Sequence, residues 1–428
     1  MRVLLSTYGS RGDVQPLVGL AAALRSLGAE VAVCAPPDED FAELLARVGV
    51  PLVTAGSSVR AMVTGVVTGT VPRPTEYLPQ RAAELYATQF DTLAVAAQGC
   101  DALVATGLFP ATAAAQSVSE KLGIRYVYAI YQPIHLPSRH HRPNPWPGRP
   151  LPAGVTDNRV LWDADADSMN AIFGPAINSH RVSIGLPEVG NIRDHVFTRH
   201  PWLAADPTLA PWPEPADLDV VQTGAWILPD ERPLPPGLEA FLAAGTPPVY
   251  VGFGSIPIRA SRDAARVAIE AVRAQGHRAL VSRGWADLAP TDDRDDCFAV
   301  GEVNQQSLFG RVAAVVHHGG AGTTTTAARA GTPQVVIPQL GDQPYWADRV
   351  ADLGIGAAHH GPDPTTESLS QALKTALTPE VRTRAAAVAG LIRTDGATMA
   401  ATLLIDAISR DRPPVPASSV PSDLKNRS

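Results

Sequence analysis

At 428 residues, with 45% hydrophobic and 18% charged residues, the chain has a globular composition and exceeds one ordinary core, so two domains are expected. A net charge of −7 leaves no basic footprint for nucleic acid. Its three cysteines, Cys34, Cys100 and Cys297, are odd in number and far apart; they form neither a disulfide framework nor a metal spacing, which fits a reducing cytoplasm. No apolar run approaches the length of a membrane span, and MRVLLSTYGS reads as a first strand rather than a signal peptide.

In chain order, Val3 to Ser6 reads as a strand, Tyr8 to Asp13 as a loop, and Gln15 to Leu27 as a helix with Leu17, Leu20 and Leu24 at helical spacing and Gly28 just past its end. Glu30 to Cys34 is the next strand, so the chain opens on a βαβ unit, which implies a doubly wound parallel sheet. The alternation continues with a helix near Asp38 to Val48, a strand Pro51 to Val53, a helix Gln80 to Gly99, a strand Ala102 to Thr106, a helix Ala111 to Leu122 and a strand Arg125 to Ile130. Seven prolines between Tyr131 and Asp165 rule out regular structure there and leave either a functional loop or a mobile one, with His135, Trp146 and Trp162 among them. Ala204 to Val220 is proline-rich and acidic and reads as an interdomain linker. The second half repeats the pattern: strands Pro248 to Phe253, Arg278 to Val281 and Phe298 to Val300, a helix Asp263 to Ala274, and a short helix Asn304 to Phe309. The fold class is α/β, with two αβα domains. The expected bounds are 1–205 for the first domain, 206–222 for the linker, 223–395 for the second domain, 396–410 for a final helix and 411–428 for a frayed tail.

The run VVHHGGAGTTTTAARAGTPQVVIPQLGDQ, Val315 to Gln343, organises the rest. A buried strand ending near Val316 turns on His317-His318-Gly319-Gly320-Ala321-Gly322 into a helix from Thr323. That turn offers free backbone N–H groups and a positive dipole end to a diphosphate. Glycines let the anion approach the main chain. The next strand, Gln334 to Pro338, delivers Asp342 and Gln343 to the same sheet edge, as a carboxylate and an amide suited to sugar hydroxyls. In the first half, Asp13 sits at the tip of the first βα turn, placed to take a proton from an attacking hydroxyl; its blander reading is a helix cap.

These segments together resemble the inverting, nucleotide-sugar-dependent glycosyltransferases of GT-B fold, and among them those that decorate glycopeptide antibiotics. The resemblance rests on Gly9-Ser10-Arg11-Gly12-Asp13, Asn178-Ser179-His180-Arg181, Ile184-Gly185-Leu186-Pro187, Thr223-Gly224-Ala225-Trp226, Val251-Gly252-Phe253-Gly254-Ser255, Gly301-Glu302-Val303-Asn304, His317-x-Gly319 and Asp342-Gln343. It implies two Rossmann-like domains with an interdomain cleft and a last helix, Ala397 to Ile408, that crosses back onto the first domain. It implies Asp13 as catalytic base, with a donor site of Ser10, Arg11, Gly12, Ser255, His317, Gly319, Gly320, Gly322, Thr323, Asp342 and Gln343. His318 matches no functional position of the family. Where plant relatives stack a tryptophan on the base, this chain has Glu302-Val303-Asn304, so Trp285 or the Val303 backbone is left to meet it. Tyr131, His135 and Trp146 are the acceptor-side candidates. The donor is expected to be a UDP- or TDP-sugar and the acceptor a glycopeptide aglycone, with no cofactor, no metal, no stable membrane insertion and a monomeric chain. A sterol or macrolide acceptor, a silent nucleotide-sugar-binding partner and a sugar-nucleotide epimerase are the competing readings. A nicotinamide oxidoreductase fails because GSRGDV lacks the G-x-G-x-x-G spacing.

Overall fold

A computed structural model describes residues 1–68, 78–254, 261–284, 292, 294–361 and 363–411. Ser255, Trp285 and the tail from 412 lie outside the described residues. The chain builds two parallel sheets. The first contains β1 (Arg2–Tyr8), β2 (Glu30–Ala35), β3 (Leu52–Thr54), β4 (Ala102–Gly107), β5 (Arg125–Ile130), β6 (Trp202–Leu203) and β7 (Val221–Gln222), in the order β3-β2-β1-β4-β5-β6-β7. The second contains β8 (Val249–Gly252), β9 (Ala279–Ser282), β10 (Cys297–Val300), β11 (Ala314–His317), β12 (Gln334–Val336) and β13 (Gly356–Ala358), in the order β10-β9-β8-β11-β12-β13. Every pairing is parallel. Strand order therefore reverses between β1 and β4 and again between β8 and β11. Those two switch points are where ligands settle in open α/β sheets.

The central strands are buried on both faces, as their unbroken apolar runs require: Leu4, Leu5, Val104, Val251, Val315 and Val316 are all within 1% of complete burial. The helix Gly396–Asp411 returns to the first half. Ala400, Ala401, Leu404 and Ile408 join Val14, Leu17 and Leu24 of the helix Arg11–Ser26 in one apolar cluster, and Arg125 meets Asp411 at 2.6 Å. The return depends on close backbone approach: a Cβ on Gly396 would sit 2.4 Å from the Ala225 carbonyl. Trp226 closes the same joint, its indole donating to Thr223 Oγ1 at 3.0 Å.

Three expectations are corrected. The first helix begins at Arg11, not Gln15, because Ser10 and Asp13 form a capping box that makes Asp13 its third residue. The proline-rich loop ends at Asp157, which caps the helix Asn158–Ser183 by accepting from the Arg159 N–H at 2.9 Å. The segment from 204 to 220 is not a linker between sheets; it leads from β6 to β7, which pairs alongside it in the same sheet, and its Leu209 and Ala210 are fully buried, so the chain leaves that sheet after Gln222. The proline-rich loop is pinned to it. Arg139 and Arg159 share the Asp217 carboxylate, and His140 Nε2 lies 2.9 Å from the Pro215 carbonyl.

The NSHR segment is scaffold. Asn178 bonds the Val189 backbone in both directions, and buried Arg181 donates to the Pro187 carbonyl and pairs with Glu120 at 2.8 Å. His180 lies edge-on to Tyr86 and Phe90.

Candidate active site

The first wall follows β1. The Asp13 carboxylate turns back to accept from the Ser10 N–H at 2.7 Å, so it caps the helix and faces the cleft at once. Gly9 makes this possible: a Cβ there would lie 2.2 Å from Asp13 Oδ2 and 2.9 Å from its Cβ. Burial pushes the carboxyl up to about 6, and the facing carboxylate of Asp342 adds to that shift. Asp13 is therefore ionised at neutral pH yet more basic than a free aspartate. Ser10 is spent on the cap, its Oγ accepting from the Gly12 N–H at 3.3 Å.

Arg11 is paired across the cleft. Both its terminal nitrogens donate to Glu302, at 2.5 and 2.9 Å, across the gap between the two sheets. Arg232 donates to the same carboxylate at 2.9 Å and Arg47 approaches it at 3.7 Å. Glu302, between three cations, is held down at about 2.

Tyr131 is buried beneath this wall. Its hydroxyl donates to the Asp13 carbonyl at 3.0 Å, and its ring meets Trp226 edge-on. It supports the helix start rather than an acceptor. Trp146 is likewise tied back, donating to Asp165 Oδ1 at 2.9 Å and resting against Phe173. His135, on the 3-10 turn Pro133–His135, does face the donor side. Burial lowers its imidazole below the ordinary value, while the carboxylates of Asp342 and Asp165 oppose that shift.

The second wall follows β11. His317 is the last residue of a strand buried on both faces, and its ring points inward, fully buried. Its Nδ1 accepts from the Gly319 N–H at 3.1 Å, so the proton is on Nε2, which donates to Gln334 Oε1 at 2.9 Å. Desolvation holds this ring down at about 3. The ring expected to contact phosphate is thus the brace of the turn. His318, one residue beyond the strand, lies over the glycines instead. A Cβ on Gly320 would be 2.6 Å from its Nε2 and one on Gly254 would be 3.2 Å from its Cε1. Its Nδ1 is buried and without a partner. Burial lowers it to about 4, so it is neutral and carries one N–H to donate.

No side chain caps the helix Ala321–Arg329 that starts here, and its N-cap is Gly320. Its first N–H groups stay open for an anion. The four threonines divide by role: Thr324, Thr325 and Thr326 bond back to carbonyls four residues earlier, at 3.0, 2.8 and 2.8 Å, and Thr323 does not. Gly319 is required twice, by its φ of +93° and because a Cβ would meet Val336 Cγ1 at 2.7 Å. Gln343 Oε1 accepts from the Gln339 and Leu340 N–H groups at 2.7 and 3.1 Å, which leaves its NH2 end as a donor. Asp342 lies between these features and Asp13. Val303 packs its side chain into the core, leaving only its backbone for a nucleobase.

Two helix starts at two switch points, one carrying a carboxylate and the other an open anion site, define a two-domain nucleotide-sugar glycosyltransferase. The family model described as "Erythromycin biosynthesis protein CIII-like, C-terminal domain" matches residues 294–398, the part that holds the second wall. Over the whole molecule the chain is similar to the vancomycin aglycone glucosyltransferase of Amycolatopsis orientalis, 57% identical across 97% of this chain and 100% of that one. Glycosyltransferase GtfE of the same organism is 58% identical and its dTDP-epi-vancosaminyltransferase 53%, each over 97% of this chain and 100% of the relative. Among solved structures, the glycosyltransferase VinC in complex with dTDP superposes with a TM-score of 0.66 over 96% of this chain and 100% of its own, at 21% identity; the calicheamicin glycosyltransferase CalG4 gives 0.68 at 17%. Both share the GT-B fold. The chain belongs to the glycopeptide-antibiotic glycosyltransferases.

The sequence reading assigned no site role to His318, Gly9 or Trp346. His318-x-Gly320 has the same spacing as His317-x-Gly319. What separates them is that His317 is the last residue of the buried strand β11, whereas His318 lies beyond it, in the glycine turn.

Proposed function

We propose that the protein transfers a hexose from a UDP- or TDP-sugar to a hydroxyl of a glycopeptide heptapeptide aglycone, with inversion at the anomeric carbon. The acceptor oxygen attacks that carbon as its proton passes to Asp13, and the bond to the diphosphate breaks. The departing negative charge is met by the N–H groups that open the helix Ala321–Arg329 and by neutral His318. Asp342 and the Gln343 amide hold the sugar hydroxyls. No cofactor or metal takes part in this scheme; the polar groups named supply the charge stabilisation. The chain acts as a monomer in the cytoplasm. Among the described residues, no helix is long and apolar enough to cross a membrane.

The observation that carries the reading is the placement of the Asp13 carboxylate, held by the Ser10 N–H at the start of the first helix and facing Asp342 across the cleft. A single displacement on an α-linked donor gives a β-glycoside, so the anomeric coupling constant of the product by proton NMR tests it. An α-glycoside would overturn the one-step scheme.

A further inference from the structure

Asp342 occupies the N-cap position of the helix Gln343–Asp352, yet its side chain caps nothing. An aspartate there ordinarily accepts from the N–H of the second or third helical residue. Here the second residue is Pro344, which has no N–H to offer, and Asp342 itself has helical backbone angles (φ −83°, ψ −7°), so the Tyr345 N–H of the third residue is not engaged either. The carboxylate instead turns to the side, where Trp346 Nε1 donates to its Oδ2 at 2.7 Å. Trp346 is 1% exposed and belongs to an apolar cluster with Val336, Ala347 and Val350, so its indole is fixed by packing before any ligand arrives. With Oδ2 taken from below, Oδ1 remains for a hydroxyl of the bound sugar. The neighbouring Gln343 is fixed in the same way, its carbonyl oxygen held by two loop N–H groups and its NH2 left over.

We propose that Trp346 is a positioning residue for donor-sugar recognition, holding Asp342 in the one orientation that presents a single carboxylate oxygen beside the Gln343 amide. Pro344 acts with it by removing one of the two helical N–H groups that could compete for the carboxylate. The pair then offers the sugar one fixed acceptor and one fixed donor, a pattern suited to adjacent equatorial hydroxyls. This rests on the reading of Asp342 as a sugar-binding residue.

The indole also bears on charge. Burial raises the Asp342 carboxyl, whereas the Trp346 N–H and the facing His135 favour its ionised form. The titratable groups that face it are Asp13, from the first helix, and His135, from the 3-10 turn. Loss of the indole N–H removes one of the groups that favour the ionised form, so the Asp342 carboxyl moves further up and becomes a weaker acceptor for a sugar hydroxyl.

The test compares Trp346→Phe, Pro344→Ala, Asp342→Asn and the double variant Asp342→Asn/Trp346→Phe. Calorimetry is run with UDP-glucose and TDP-glucose as probes and with UDP and TDP as controls for an intact nucleotide site. The expected result for Trp346→Phe is a roughly tenfold loss for the nucleotide sugar with diphosphate affinity unchanged, and an acidic limb of kcat/KM for the donor displaced to higher pH. Pro344→Ala shifts the same quantities in the same direction by less, and it leaves the packed indole untouched should Trp346→Phe fold poorly. In the double variant, Trp346→Phe adds no further loss, because it acts through Asp342 alone. If Asp342→Asn separates sugar from diphosphate affinity while Trp346→Phe and Pro344→Ala do not, the positioning role is overturned and the sugar-binding role of Asp342 stands. If Asp342→Asn itself changes neither, the underlying reading of Asp342 falls. Additive losses in the double variant would make Trp346 merely structural.

Discussion

Gly9→Ala adds one methyl group where the structure has no room for it. The new Cβ would lie 2.2, 2.5 and 2.9 Å from Asp13 Oδ2, Cγ and Cβ. Ordinary contact needs about 3.5 Å. Rotating the carboxylate away relieves the first two overlaps but not the third, because the Asp13 Cβ moves only with the helix start. The variant therefore loses the 2.7 Å bond from the Ser10 N–H and displaces the base from the cleft. Loss of the cap costs about 1–2 kcal/mol of stability. Misplacing the base costs on the order of 10²–10⁴ in turnover. The assay is single-turnover transfer with donor saturating, alongside calorimetry with the nucleoside diphosphate. Diphosphate affinity is expected to hold, since the sites that bind it lie on the second wall. Near-normal turnover in Gly9→Ala would refute the placement of Asp13 as base.

Asp13→Asn keeps an oxygen for the Ser10 N–H but removes a buried charge. Because the folded carboxyl is raised above its unfolded value of 3.8 to about 6, its ionised form carries a stability penalty that is absent below the unfolded pKa and complete above 6. That penalty is about 3 kcal/mol at neutral pH, so Asp13→Asn should melt higher than the parent at pH 7.5, converge with it near pH 4, and be inactive throughout. In the parent, kcat/KM should fall about tenfold per pH unit below about 6, as the base takes up its proton; a flat acid profile would contradict the assignment. His318→Ala should weaken nucleoside diphosphate binding several-fold by calorimetry, while His317→Ala should chiefly lower the melting temperature, since it strands Gln334 and the Gly319 N–H. Arg181→Ala should destabilise by about 3 kcal/mol in urea, leaving half-buried Glu120 with only the imidazole of His195 beside it, and the KM for the donor should be unchanged.

Much of the fold was legible because parallel strands buried on both faces write continuous apolar runs. Glu30 to Cys34, Ala102 to Thr106 and Arg125 to Ile130 fall on β2, β4 and β5 within a residue at either end. The strands β6 and β7 escaped notice because each is two residues long, too short for any period to show. The segment 204–220 looked like a linker because its prolines and acids exclude helix and strand; those properties also describe a connection between two strands of one sheet. At the site, residue types were legible and side-chain directions were not. The Gly-rich turn, Asp13 and Asp342 stand where their spacing put them. Arg11, Tyr131, Trp146 and His317 also stand at the cleft margin, but their polar atoms are committed to Glu302, the Asp13 carbonyl, Asp165 and Gln334. Those partners are 291, 118, 19 and 17 residues away, beyond what local pattern encodes.

The central claim is that one hexose passes from a nucleotide sugar to a glycopeptide aglycone hydroxyl with Asp13 as base. Mass spectrometry of products, after incubation with a vancomycin-type heptapeptide aglycone and a panel of UDP- and TDP-sugars, tests it most directly, with Asp13→Asn run in parallel. A single sugar-sized adduct from one donor, absent in the variant, is the predicted result. No adduct from any donor despite tight nucleotide binding, or an adduct that survives in Asp13→Asn, would contradict it.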